Sequence, residues 1–268
     1  MRFAFICLLF LISASLAAQD NVRVFLFDKE WSSVKNMRQA TYFMHLVKEC
    51  DSVYSCRYYR KEGPMIKWET YRDSTLEIPN GRFAWYNERG RIDSFGTVAN
   101  GRKDKNWFYQ LNDSGRAKME DYFENGKFKS RTNYISRRIT LADGTTEPLD
   151  KPKPVDTVPE KTFTVVQVAA DFPGGIPAWT NYLSQNLHTP ERLLSVSRPD
   201  TKCTVVVDFL VQKDGKVGDV FIWRSYEWSA DLEAMRVIKE GPDWKPAEQN
   251  GKKVIYKHRQ SITYQIGR

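Results

Sequence analysis

From Asn21 to about Tyr134 the chain alternates short apolar, aromatic-rich runs with charged or glycine-containing gaps. Residues 22–27, 40–47, 54–59 and 65–71 are rich in β-branched and aromatic side chains, so they are expected to be strands. Residues 37–48 would suit a helix by composition alone, but Thr41-Tyr42-Phe43 favours a strand. Further on, Asn80-Gly81, Asn100-Gly101 and Asn125-Gly126 carry the dipeptide of type I′ hairpin turns. A second set of turns is expected at residues 87–90 and 112–115. Gly90 and Gly115 are 25 residues apart, as are Gly101 and Gly126. Each 25-residue unit supplies two strands and two turns, with Phe83, Trp85, Trp107, Phe108, Tyr122 and Phe123 as core candidates. Such a period implies stacked hairpins that bury their faces only against their neighbours.

The pattern changes at residues 143–161, where four prolines alternate with charged residues. This stretch reads as a semi-extended linker, a dozen residues of which reach ~35–40 Å. The spacing then turns helical: Trp179, Tyr182, Leu183 and Leu187 share a face of a helix expected over residues 176–187. Thr189 is the expected N-cap of a short restart, with Pro190 at the first helical position. Residues 203–211 alternate strictly, with Cys203, Val205, Val207, Phe209 and Val211 on one face. Asp214-Gly215 turns this strand into a second one over residues 217–223. Ser229 precedes a helix near residues 231–240, lined by Leu232, Met235 and Ile238, and Gly241-Pro242 stops it. Another hairpin turn is expected at Asn250-Gly251. The last strand sets Val254, Tyr256, His258, Ile262, Tyr264 and Ile266 against Lys257, Arg259, Ser261, Thr263 and Gln265. The expected fold is therefore two domains, each with its own core. An all-β repeat sheet of stacked hairpins (residues 19–142) is joined by the linker (143–165) to an α+β domain (166–268), an antiparallel sheet with two helices on one face.

Charge adds one exclusion. The net charge is +8, but the basic excess is spread over both halves rather than gathered in a stripe, which argues against nucleic acid as a partner. Residues 1–18 have the form of an export signal: Arg2, an apolar run of ~16 residues against the roughly 20 of a spanning helix, then small residues. Cleavage is the favoured reading, and an uncleaved segment would leave an inner-membrane anchor. Cys50 and Cys56 flank five residues of an expected hairpin connection. In an oxidising compartment they either close a local disulfide or remain thiols. Cys203 is expected as a small buried hydrophobe.

Residues 68–134 resemble MORN-like β-hairpin repeats of bacterial envelope proteins, through Trp85-Tyr86 followed by Gly90-Arg91 and through the Asn-Gly turns. The C-terminal stretch resembles the TonB C-terminal domain in its Bacteroidetes-type form. The matching pieces are Phe172-Pro173-Gly174-Gly175, Pro190-Glu191, the strand and turn ending at Asp214-Gly215, residues 231–236, Trp244-Lys245-Pro246, Asn250-Gly251 and Ile262-Thr263-Tyr264. That resemblance implies a periplasmic domain whose last strand, from Tyr256 onward, pairs with an extended segment of an outer-membrane receptor. The implied contact residues are His188, Thr189, Pro190, Tyr256, Lys257, Arg259, Ser261, Thr263 and Gln265. The family usually has Tyr-Pro where this chain has Thr189-Pro190.

The three histidines sit in different predicted elements, and no metal-ligand spacing, nucleophile elbow, phosphate loop or dinucleotide fingerprint occurs. No cofactor and no enzymatic activity are expected. The expected partner is an outer-membrane receptor or another envelope protein, with a second copy of the chain as a further candidate. Membrane contact would run only through an uncleaved N-terminus or the repeats. A scaffolding role in the envelope, without transport, is the competing reading.

Overall fold

The computed structural model describes residues 22–149, 162–163 and 165–267. The export signal and the proline-rich centre of the linker lie outside the described residues. The N-terminal half is a run of short antiparallel strands: β1 (Val22–Phe27), β2 (Ser33–Val34), β3 (Tyr42–Cys50), β4 (Val53–Arg60), β5 (Met65–Tyr71), β6 (Gly81–Tyr86), β7 (Ile92–Ala99), β8 (Arg102–Tyr109), β9 (Met119–Glu124), β10 (Lys127–Asn133), β11 (Arg138–Leu141) and β12 (Thr146–Pro148). They form one twelve-stranded sheet in which almost every strand lies beside its chain neighbour; only β2 is displaced, to the far side of β1. The sheet therefore extends into the segment expected to be linker, since β12 pairs with β11 at residues 146–148.

The 25-residue repeat is reproduced bond for bond. Asn87 Oδ1 accepts the N–H groups of Arg89 and Arg91, and Asn112 Oδ1 accepts those of Ser114 and Arg116. These are Asx turns, in which the side chain stands in for a backbone acceptor. Asn100-Gly101 and Asn125-Gly126 have positive φ at both residues, as a type I′ turn demands. Asn80-Gly81 does not form such a turn. Pro79 bridges to Tyr71 and the Asn80 N–H bonds Thr70 O, which ties the pair to β5 at the start of β6, with positive φ at Gly81 alone.

The C-terminal half contains α1 (Gly175–Asn186), α2 (Glu191–Val196), β13 (Lys202–Val211), β14 (Val217–Arg224), α3 (Trp228–Lys239), β15 (Ala247–Gln249), β16 (Lys252–Val254) and β17 (Tyr256–Gln265). The three-stranded sheet has the order β14-β13-β17, and β15 and β16 form a separate hairpin. One face of the sheet, with Val205, Val207, Ile222, Ile262 and Tyr264 buried, packs under the helices. There are three described helices rather than two, and two of their starts differ from expectation. Pro190, not Thr189, is the N-cap of α2, and it makes no side-chain cap bond. The cap of α3 is Glu227, whose carboxylate accepts the Ala230 N–H at 2.7 Å, so Ser229 lies inside the helix.

The two halves do not keep separate cores. One continuous buried cluster takes Phe43, Tyr59, Met65, Trp68, Tyr86 and Ile92 from the large sheet, together with the interior of the C-terminal half. Phe221 packs against Trp68 with ring centroids 5.2 Å apart, and the Arg82 guanidinium covers its other side at 4.3 Å. Trp228 at the start of α3 meets Phe43 and His45 edge-on. Burial pushes the His45 imidazole down to about 4, with the nearby Arg57 charge adding to the effect. Lys239 of α3 pairs with Glu49 of β3 at 3.1 Å.

The seam also contains a buried polar network. Met65 N–H donates to Ser225 Oγ at 2.7 Å, and Ser225 Oγ bonds Asp231 Oδ2 at 2.6 Å. Asp231 Oδ1 accepts the Tyr226 N–H at 3.0 Å. Asp231 is fully buried, and desolvation pushes its carboxyl up to about 7, with the neighbouring Glu227 charge acting in the same direction.

Candidate partner-binding edge

A three-stranded sheet has two edges, and in this protein they are treated differently. The β14 edge is held by the large sheet at its C-terminal end. Tyr86 Oη donates to Ile222 O at 2.6 Å, Ser225 N–H donates to Gly90 O at 2.8 Å, and Arg91 bridges Arg224 in antiparallel sense. The repeat turn makes this approach possible because it carries glycine. Gly90 has φ 68°, and a Cβ there would lie 2.0 Å from Ser225 O.

The β17 edge is different. β17 pairs with β13 through ten consecutive residues without a register shift, from Tyr256 opposite Val211 to Gln265 opposite Lys202. Two hydrogen bonds fix the alternation. Ile266 N–H donates to Thr201 O on the β13 side, whereas Lys257 N–H donates outward to Phe163 O. Even-numbered residues therefore bond β13, and odd-numbered residues turn their N–H and C=O outward. Phe163 occupies the beginning of that outward side, where its own N–H donates to Ile255 O and it bridges Tyr256 in parallel sense. The outward backbone groups left for a partner belong to Arg259, Ser261, Thr263 and Gln265.

This arrangement narrows the expected pairing segment. Tyr256 and Lys257 are already covered by Phe163, near the end of the linker, whereas Arg259, Ser261, Thr263 and Gln265 are all exposed. Their side chains lie on the face away from the helices. Arg259 grips Asp208 with two bonds of 2.6 and 2.9 Å and lies 3.8 Å above the Trp223 ring, while Lys257 reaches the same carboxylate at 2.9 Å. Thr263 Oγ1 is 3.0 Å from Thr204 Oγ1. On the opposite face, His258 stacks among Trp244 (4.8 Å) and Phe209 (5.2 Å), and burial lowers its pKa.

His188, Thr189 and Pro190 are not part of this edge. They join α1 to α2, and His188 is tied to α3: its N–H donates to Glu233 Oε1 at 2.8 Å and its Nδ1 is 3.3 Å from Arg236 Nη2. Cys50 and Cys56 are both free thiols. The β3–β4 register sets Val53 opposite Cys50 and Leu46 opposite Cys56, so the two cysteines do not face each other across the hairpin. Cys50 is exposed, whereas Cys56 is buried with Met44 and Leu46, and burial pushes its thiol up to about 12.

The docking of β14 was missed from sequence, although a signal was there. Val220, Phe221, Ile222 and Trp223 are four consecutive apolar residues, the mark of a strand covered on both faces. The large sheet supplies the second cover.

No helix among the described residues is long and apolar enough to cross a membrane. No curated protein and no solved structure matches the chain. Residues 197–266 match the family described as Gram-negative bacterial TonB protein C-terminal, so the segment that carries β13, β14, α3 and the half-open edge of β17 is similar to the C-terminal domain of that family.

Proposed function

We propose that this is an exported, non-enzymatic envelope protein that captures a partner by adding an extended segment of it to the β17 edge, in connection with outer-membrane transport. The observation that carries this reading is the asymmetry of the two edges: the C-terminal end of β14 is engaged by the chain itself, while β17 keeps outward donors and acceptors at alternate residues from Arg259 to Gln265. Backbone pairing there would supply affinity, and the alternating side chains Arg259, Ser261, Thr263 and Gln265 would supply selectivity. The match of residues 197–266 to the TonB C-terminal family supports an outer-membrane receptor as the source of the segment.

Thr263→Pro removes an outward N–H without touching a bond to β13, so the fold is expected to survive while capture is lost; Thr263→Ala retains capture. In amide exchange, the amides of Ser261, Thr263 and Gln265 are fast in the free protein and gain protection when receptor-derived extended peptides bind. Equal peptide binding by Thr263→Pro, or binding with no protection at these amides, sinks the reading.

One observation favours a second reading, an envelope scaffold with no transport role. The β-repeat sheet is fixed to the TonB-like segment by a shared core and by the Lys239–Glu49 pair, so the segment is not carried free at the end of a tether. Uptake assays on a deletion strain separate the two readings: lost uptake of a receptor's substrate supports transport, and unaffected uptake with altered envelope integrity supports the scaffold.

A further inference from the structure

Between the outward face of the C-terminal sheet and the second half of the repeat sheet lies a cleft of ≈ 670 Å³, within the usual range for a small-molecule site. Phe95, Phe108, Leu111 and Trp223 contribute its apolar lining. Phe95 stacks on Phe108 at 4.9 Å and meets Trp223 edge-on at 5.9 Å, so this aromatic wall is braced from both sheets. Ile135, in the loop between β10 and β11, also lines the cleft yet is 73% exposed. That loop is held by Asn133, whose Oδ1 accepts the N–H groups of Ile135 and Ser136 at 3.0 Å each. A large aliphatic side chain is thus fixed at the mouth of an apolar cleft with most of its surface uncovered.

The polar part of the lining has one sign. Arg116, Lys118, Lys257 and Arg259 line the cleft, and no carboxylate does. Asp208, beneath the lining, is shared by Lys257 and Arg259 and balances one of those two charges. Arg116 and Lys118 are exposed, and neither has an ion-pair partner among the described residues.

We propose that the cleft binds a single-chain anionic amphiphile, an acyl carboxylate whose chain lies against Phe95, Phe108, Leu111 and Trp223 under Ile135 and whose head meets Lys118 and Arg116. Apolar walls call for a hydrocarbon body, and a cationic rim without carboxylates selects a negative head over a neutral or positive one. The concave shape between two sheets admits one chain and excludes a flat bilayer surface. Arg259 borders both the cleft and the β17 edge, but the cleft uses none of the outward backbone groups of β17, so strand addition can fail without affecting it.

The test is a calorimetric titration of the purified chain with laurate below its micellar concentration, followed in parallel by tryptophan fluorescence. Dodecanol and dodecyltrimethylammonium are the head-group controls, and phosphatidylglycerol vesicles are the membrane control. Laurate is expected to saturate one site and to bind more tightly than octanoate and either control. Lys118→Glu and Ile135→Glu, both exposed and therefore tolerated by the fold, are each expected to weaken laurate about tenfold or more, with circular dichroism unchanged. The proposal is overturned if laurate does not bind, if dodecanol binds as well as laurate, if both variants bind like the parent chain, or if only the vesicles bind.

Discussion

Replacing Asp231 with Asn should change how stability depends on pH. In the folded chain this carboxyl is fully buried, and its pKa is raised from 3.8 to about 7. The sign follows from proton counting. Between those two values the folded state holds a proton that the unfolded chain has released, so stability falls as pH rises. The group costs nothing below about pH 3.8 and has its full destabilising effect above about pH 7. A displacement of about three pH units is worth on the order of 4 kcal/mol at 1.36 kcal/mol each. Asn has the shape of the protonated acid: its Oδ1 can accept the Tyr226 N–H and its Nδ2 can donate to Ser225 Oγ, which still accepts the Met65 N–H but gives up the bond its own O–H makes to Asp231 Oδ2, a loss that does not depend on pH. Relative to the parent, the variant should therefore gain stability steadily from about pH 4 up to pH 8. Other carboxylates titrate alike in both proteins, so the difference between them isolates Asp231. Urea denaturation at half-unit pH steps measures it. A parallel pair of stability curves, or a parent that gains on the variant as pH rises, would refute the assignment of a proton to this buried group.

Two further outcomes follow from the shared core. Phe221→Ala removes a ring held between Trp68 and Arg82 and should cost roughly 3–5 kcal/mol; the parent and the variant should each melt in a single transition, coincident by far-UV circular dichroism and by tryptophan fluorescence. In the native protein a maleimide should modify Cys50 rapidly, while Cys56 and Cys203, both 0% exposed, react only on unfolding, as read by intact mass.

Much of the strand and turn structure was legible because it is local. The bounds of β1 and β5 follow from their apolar runs, and Asn100-Gly101, Asn125-Gly126 and Asn250-Gly251 all take positive φ at both positions. Where a local preference met a longer-range bond, the bond prevailed. Asn80-Gly81 is tied to β5 through Thr70 instead of turning, and Glu227 caps α3 in place of Ser229 because its buried carboxylate reaches the Ala230 N–H. Of the candidate site, the alternation of β17 could be read, and so could the outward face of Arg259, Ser261, Thr263 and Gln265. Its limit at Lys257 could not, because Phe163, near the end of the linker, reaches it across some ninety residues of sequence. Nor could the cleft, whose walls come from strands far apart in sequence and meet only when β14 docks.

The order of the twelve-stranded sheet has a consequence for how the chain acquires its structure. Apart from the displaced β2, its neighbours in space are neighbours in sequence, so each hairpin closes a short loop. The C-terminal sheet must instead join Lys202 to Gln265 across an intervening strand, helix and hairpin, a slower closure. When the chain folds, the repeat sheet is expected to close first, with Trp68, Tyr86 and Gly90 placed to receive β14. The N-terminal half thus serves the second half as a folding template. Its removal would leave Phe221, Trp223 and Trp228 uncovered in a chain that must then collapse without a surface to collapse onto.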